Sequence, residues 1–240
     1  MPSLPPRLSP ALLGLCLLAL ALNLTAVRAE EASVGSVLPD IAGTTWVRTT
    51  APPFAGEEGI RFEKDGTLGL IGFSAMNGLT WTRRSNALNI ATNTTFRAVP
   101  EESDIYMLSN DGQRLVLSAK DDYLAGPWYR DDKAAGVLRG QVSGAADTGK
   151  EAALHLELRE LEADGRAGRL IAKQSLPLSE AAAPFPFRLF FPTKAIRAGA
   201  RYAVAAVITE AQELRYYTPQ PVAVQPGQTV PVGIGVVARR

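Results

Sequence analysis

Beyond residue 30 the chain never sustains the apolar repeat of a helix. Short runs of β-branched and aromatic residues recur instead, each cut off by Gly, Asn, Asp or Pro. A helix needs its apolar residues on one face over roughly ten positions, whereas a strand needs only alternation over about four to eight. The pattern therefore predicts an all-β protein, a sandwich or a barrel. The turn chemistry is specific. Lys64-Asp65-Gly66 and Asn110-Asp111-Gly112 place Gly where a tight hairpin demands positive φ. Asp164-Gly165 and Pro226-Gly227 mark two further turns.

The N-terminus reads as an export signal. Arg7 precedes an apolar run from Ala11 to Leu22, and Val27-Arg28-Ala29 supplies cleavage-site residues. Residues 1–29 are expected to be a cleaved signal peptide, with cleavage after Ala26 as the rival. The run is shorter than the ~20 residues a spanning helix needs, so no stable membrane span is expected after cleavage. Cys16 is the only cysteine. Leu15 precedes it, where a lipid-attachment signal wants a small residue, so lipid anchoring is not expected. The mature chain would then have no cysteine, hence no disulfide, thiolate metal site or thiol nucleophile. It is expected to be periplasmic or secreted.

Charge is balanced, 25 Lys and Arg against 24 Asp and Glu. Nothing concentrates the positive field that nucleic acid requires. Trp128-Tyr129-Arg130 ends one strand-like segment. Asp131 to Gly136 is short and polar or small, and Val137 to Val142 begins another strand. This predicts two tandem small β domains, 38–130 and 134–240, with a boundary near residue 133. Each is large enough for its own core.

The second domain carries Pro184-Phe185-Pro186-Phe187-Arg188-Leu189, a turn at Gly199, and the strand Ala200 to Ile208. Val137 to Val142 lies upstream and Leu214-Arg215-Tyr216-Tyr217-Thr218 downstream. Over roughly residues 134–238 this resembles the YbaY family of bacterial envelope lipoproteins, relatives of the YscW-type pilotins. The resemblance implies a seven-strand, immunoglobulin-like β-sandwich that binds another envelope protein, without a catalytic site or cofactor. The first domain resembles the META (HslJ-like) domain. The matching residues are Gly43-Thr44-Thr45-Trp46, Ile60 to Thr67, Gly72 to Gly78, and Leu88-Asn89-Ile90 with Thr92 to Thr95. That family's two cysteine places hold Phe73 and Val99 here, which implies a packing contact where the family has a covalent tie.

Residue types that carry catalysis are sparse. His155 is the only histidine. In Ala153 to Arg159, alternation puts His155, Glu157 and Arg159 on one face and the leucines on the other. His155 reads as a general base beside Glu157, or as part of a solvated polar face; the second is expected. One His without Cys leaves too few ligands for zinc. The doublets Glu57-Glu58, Glu101-Glu102, Asp121-Asp122 and Asp131-Asp132 point each acid to opposite faces, so none supplies a glycosidase pair. They read as solvated charge near turns and linkers. No Gly-x-Ser-x-Gly elbow is present. Gly69 and Gly72 open no helix, so they read as close-packing positions in a strand.

The aromatics are more informative. Trp46, Trp81 and Trp128 all fall in the first half. In the second, Phe190-Phe191 and Tyr216-Tyr217 are adjacent pairs, so one member of each must leave the main core for solvent, an edge or the other domain. With Arg188 and Arg215 beside them, these residues are the candidate protein-interaction surface. No catalytic, cofactor or metal residues are assigned. The expected function is a non-catalytic periplasmic accessory protein in envelope maintenance or secretion, acting by binding another envelope protein. An inhibitor or stress-protective protein acting against an envelope hydrolase is the alternative. A hydrolytic or carbohydrate-active enzyme ranks below both. An apolar groove would favour binding, and a deep pocket with two carboxylates would favour an enzyme.

Overall fold

The computed structural model describes residues 38–50, 56–73, 75–94, 104–119, 123–146, 148–178 and 182–239. The signal-peptide residues with Cys16, and the doublets Glu101-Glu102 and Asp121-Asp122, lie outside these. The described residues are all-β apart from a 3-10 turn at Thr193–Ala195.

The first half is one antiparallel sheet. Its strands are β1 (Thr44–Thr50), β2 (Gly56–Phe62), β3 (Leu68–Ile71), β4 (Met76–Arg84), β5 (Ala87–Thr94), β6 (Asp104–Asn110), β7 (Arg114–Ser118) and β8 (Gly126–Arg130). The spatial order β3-β2-β1-β8-β7-β6-β5-β4 is an up-and-down meander with β1 and β8 joined in the middle. Its two ends meet: Thr67 bridges Thr80, and the Trp81 amide donates to the Gly66 carbonyl at 2.8 Å. The sheet thus curls into an eight-stranded barrel, a size whose interior side chains just fill. Trp46, Ile60, Phe62, Leu68, Trp81, Leu88, Tyr106, Leu115 and Trp128 fill it. Each indole N–H finds an oxygen: Thr44 Oγ1 for Trp46, the Glu63 carbonyl for Trp81 and the Leu124 carbonyl for Trp128. Gly66 and Gly112 take φ of 84° and 91°, which is why the two hairpin tips read from the sequence require glycine.

The second half is a sandwich. The strands are β9 (Ala135–Ser143), β10 (Ala152–Leu161), β11 (Ala167–Pro177), β12 (Phe185–Pro192), β13 (Arg201–Glu210), β14 (Glu213–Tyr217), β15 (Val222–Val224), β16 (Val232–Gly235) and β17 (Val237–Ala238). One sheet runs β11-β10-β13-β14-β17, with β15 also on β13; the other runs β12-β9-β16. Among the described residues this is more strand segments than the seven expected. Pro221, Pro226 and Pro231 break the C-terminal tail into short pieces, because proline removes a ladder donor. The β16–β9 pairing is parallel. Leu138, Val142, Leu154, Leu156, Phe185, Phe187, Leu189, Phe191, Val204 and Ile234 belong to the core between the sheets.

The two halves lie in one compact unit, Leu38–Arg240. The connection 131–134 is pinned at its end by Thr193, whose amide donates to the Ala134 carbonyl at 2.9 Å, and at its start by β1. Asp131 donates its amide to the Thr45 carbonyl at 3.0 Å, and Asp132 Oδ1 accepts from the Thr45 amide at 2.9 Å. A third, small cluster of Ile71, Ala134 and Phe190 fills the seam, with Val47, Ala135 and Val137 against it.

Candidate functional site

The six residues of the expected interaction surface do not come together. Phe190 and Phe191 point to opposite faces, as alternation requires, yet both are buried, 4% and 2% exposed. Phe191 enters the sandwich core, and Phe190 enters the seam. Phe190 is therefore not an exposed anchor. The barrel covers it, because Gly69 on β3 leaves space for its ring: a Cβ at Gly69 would lie 2.6 Å from the ring carbons. Gly69 has no positive φ, so it is there for close approach. Arg188 lies in the same seam, with its guanidinium 2.5 Å from Asp65 Oδ2 and donating to Thr67 Oγ1 at 2.9 Å. That guanidinium holds the Asp65 carboxyl well below its ordinary value of 3.8. The pair's contribution to stability is thus complete above that value and is lost only as pH falls below it, through the depressed value of the folded state. Tyr216 is half-buried against the sandwich core. Tyr217 is 39% exposed on the other face, paired across the edge with Val237, itself 43% exposed. Arg215 stays at the surface, 3.3 Å from Glu210.

His155 is less solvated than expected. Its Nδ1 lies 2.8 Å from the Ser175 hydroxyl and its Nε2 2.9 Å from the Thr209 hydroxyl. The β10–β11 register sets Ser175 directly opposite it, and β13 brings Thr209 from the other side. Glu157 shares the face but bonds Arg159 at 2.8 Å. The Ser175–His155 contact has the spacing of a nucleophile and base. However, Ser175 is only 4% exposed and the second ring nitrogen meets a hydroxyl where a triad has an acid. Burial pushes the imidazole below its ordinary value of 6.5, with Glu157 pulling the other way. The unfolded chain therefore binds this proton more readily, so stability present above pH 6.5 declines as pH falls below it. His155→Gln should flatten that acid decline in urea melts recorded across pH. His155→Ala should cost about 1–2 kcal/mol through the two lost hydrogen bonds, more than a solvated site would.

The carboxylate doublets are not all solvated charge. Glu58 is not simple surface charge: it is 5% exposed, accepts from Arg48 Nε at 2.9 Å and from the Tyr123 hydroxyl at 2.6 Å. Burial is tolerated because both oxygens are satisfied and the cation lies alongside. Glu57 points the other way and pairs with Lys194 of the sandwich. Asp132 bonds Arg130 and the Thr45 amide. Among the described residues no group of three or more His, Cys, Asp or Glu is placed to hold a metal ion.

Two grooves accompany these residues. One, of about 540 Å³, follows the seam between β4 and the start of β12, lined by Thr67, Leu79, Thr80, Leu176, Pro186 and Arg188. Leu79 is the extra residue of a bulge in β4, where pairing with β5 shifts between Gly78 and Thr80. The second, of about 530 Å³, lies on the barrel, lined by Val47, Arg48, Thr49, Pro127 and Tyr129. Neither lining contains a carboxylate. Sequence reasoning missed both grooves, since their walls come from strands far apart in the chain.

Residues 135–233 match the family described as type III secretion system lipoprotein chaperone (YscW). The match lies wholly in the sandwich. It does not extend to residues 38–130, where a META domain was expected. A solved structure of an alternative pilotin from the type II secretion system of Vibrio cholerae is 25% identical, covering 44% of this chain and 99% of that one, with a TM-score of 0.38. No curated protein matches the chain.

Proposed function

We propose that this chain is a non-catalytic accessory protein of a secretion apparatus in the bacterial envelope, exported by a signal peptide cleaved after Ala29 without lipid, and acting by binding another envelope protein. The family match over residues 135–233 carries the reading. With Phe190 sealed in the seam, the partner-facing part of the original surface reduces to Tyr217 and Arg215, to which the exposed Val237 is added. An exposed aromatic beside an arginine is the composition typical of interface anchors.

Deleting the gene should impair assembly of an outer-membrane secretion complex; unimpaired assembly and secretion would reject the function. A photocrosslinking residue at position 217 should capture a component of that complex, whereas one at Tyr129 on the barrel should not. With that residue in place at 217, Arg215→Glu with Val237→Asp should abolish the crosslinked product and leave the melt unchanged. A product that persists with the double substitution would reject this face while leaving the function standing.

A further inference from the structure

The seam between barrel and sandwich is coded by charge. On the barrel side, the β2–β3 hairpin presents Glu57, Glu63 and Asp65; on the sandwich side, β9, β12 and the following turn present Arg139, Arg188 and Lys194. Each acid meets one base of the sandwich, and Glu63 also lies 3.4 Å from Arg61 of its own barrel. Lys194 pairs with Glu57, Arg188 Nη2 lies 2.5 Å from Asp65 and Arg139 Nη2 lies 3.8 Å from Glu63. In all these pairs the acid belongs to the barrel and the base to the sandwich. Between them Phe190 sits in the notch that Gly69 leaves open. A buried amide latch closes the neighbouring edge. Asn77 donates to Asn93 at 3.0 Å, Asn93 donates to the Ser175 carbonyl at 3.2 Å, and the Ser175 amide donates to Asn77 Oδ1 at 3.1 Å. Two asparagine side chains thus stand where a neighbouring strand would otherwise pair with β11.

This is the anatomy of a protein interface inside one chain: an aromatic anchor in a fitted notch, ringed by complementary charge. Part-exposed ion pairs contribute little energy. They fix register and exclude wrong partners, while the apolar anchor supplies most of the burial. We propose that the outer face of the β9–β12 pair is a recognition surface for an acidic, small-residue strand face, and that the barrel's β2–β3 hairpin is its resident occupant, held in cis. The barrel then shields from external partners a basic aromatic face that the sandwich would otherwise present. A competing ligand must offer the same chemistry: a strand with carboxylates flanking a glycine.

The test uses the purified full chain and needs no envelope partner, so it fails or succeeds independently of the secretion reading. The probe is a fluorescent, backbone-cyclised peptide of residues 57–71. The full chain carrying Glu57→Lys, Glu63→Lys and Asp65→Lys should lose hydrogen-exchange protection in β3 and β12 by at least about tenfold and bind the peptide. The unaltered chain should not bind it. Adding Arg139→Glu, Arg188→Glu and Lys194→Glu should restore protection and reject the peptide, which a general loss of fold cannot do. Unchanged protection in the triple variant, or an opened variant that ignores the peptide, would overturn the proposal. Should the triple variant fail to fold, the unaltered chain decides. Raising NaCl from about 0.05 M to about 1 M should lower protection at the seam and not in the β10–β13 core, since salt screens exposed pairs. Equal protection at both salt levels would overturn the proposal.

Discussion

Phe190→Ala is expected to destabilise the chain by about 3–4 kcal/mol, although Phe190 belongs to neither main core. The ring is almost wholly buried against Ile71, Ala134 and the backbone at Gly69. Its loss opens a void that the flanking sheets cannot collapse into, because both are held by their own cores. For a chain of this size each kcal/mol moves the midpoint by about 2–4 °C, so thermal melts will resolve it. Gly69→Val attacks the same contact from the other side. The added side chain would overlap the Phe190 ring, an overpacking that costs about 1–3 kcal/mol. The two changes share one space, so they should not add: in the Gly69→Val, Phe190→Ala double variant, valine partly refills the cavity. A double-mutant cycle in urea should give a coupling of at least about 1 kcal/mol. Additive costs would mean that Phe190 and Gly69 do not meet. Partner crosslinking at position 217 should survive Phe190→Ala, since Tyr217 lies on the other sheet.

That contact also marks what could be read from the chain alone. Alternation sufficed to say that Phe190 and Phe191 face opposite ways and that one of them must leave the main core. It could not say where Phe190 goes, because Gly69 lies on a strand of the other half and nothing local ties the two. Local signals did well elsewhere. The all-β class followed from short runs and turn residues, and the glycines at Gly66 and Gly112 sit at hairpin tips as their φ values demand. Signals that depend on register failed. His155 looked solvated because its own strand alternates cleanly; its hydroxyl partners arrive from β11 and β13. Glu58 looked like surface charge because it sits in an acidic doublet, whereas its position in β2 turns it toward Arg48. The charge code of the seam was invisible for the same reason. Its acids lie more than seventy residues from its bases in the chain, and only the docking of β2–β3 on β9–β12 lines them up.

Arg48→Met should be the most damaging change in the barrel, costing about 3–5 kcal/mol, because it removes one partner of a buried ion pair and leaves the other uncompensated. Arg48 is held on several sides. Its guanidinium bonds Glu58 and the carbonyls of Tyr123 and Ala125, and it stacks 4.2 Å from the centroid of Trp128. Methionine keeps much of the packing and none of the charge, so the loss reports the stranded carboxylate and the carbonyls left without donors. Removing the charge on both sides should be gentler: Arg48→Met with Glu58→Gln should recover about 1–2 kcal/mol of the loss, since no net charge then stays buried. Tyr123 supplies an independent readout. Its hydroxyl donates to Glu58, and that hydrogen bond, with burial and the adjacent carboxylate, raises its ionisation above the ordinary 10.0. The folded state therefore favours the neutral phenol. The resulting stability is complete below pH 10.0 and is lost as pH rises through the raised value. In Glu58→Gln the charge is gone, so ultraviolet titration of the folded chain should show one tyrosine ionising at lower pH than before. Tyr123→Phe should remove that same step from the titration. A Glu58→Gln titration that matches the parent chain would show that Tyr123 does not donate to Glu58. A stability cost for Arg48→Met no greater than that of an ordinary surface site, within about 0.5 kcal/mol, would show that Glu58 does not depend on Arg48.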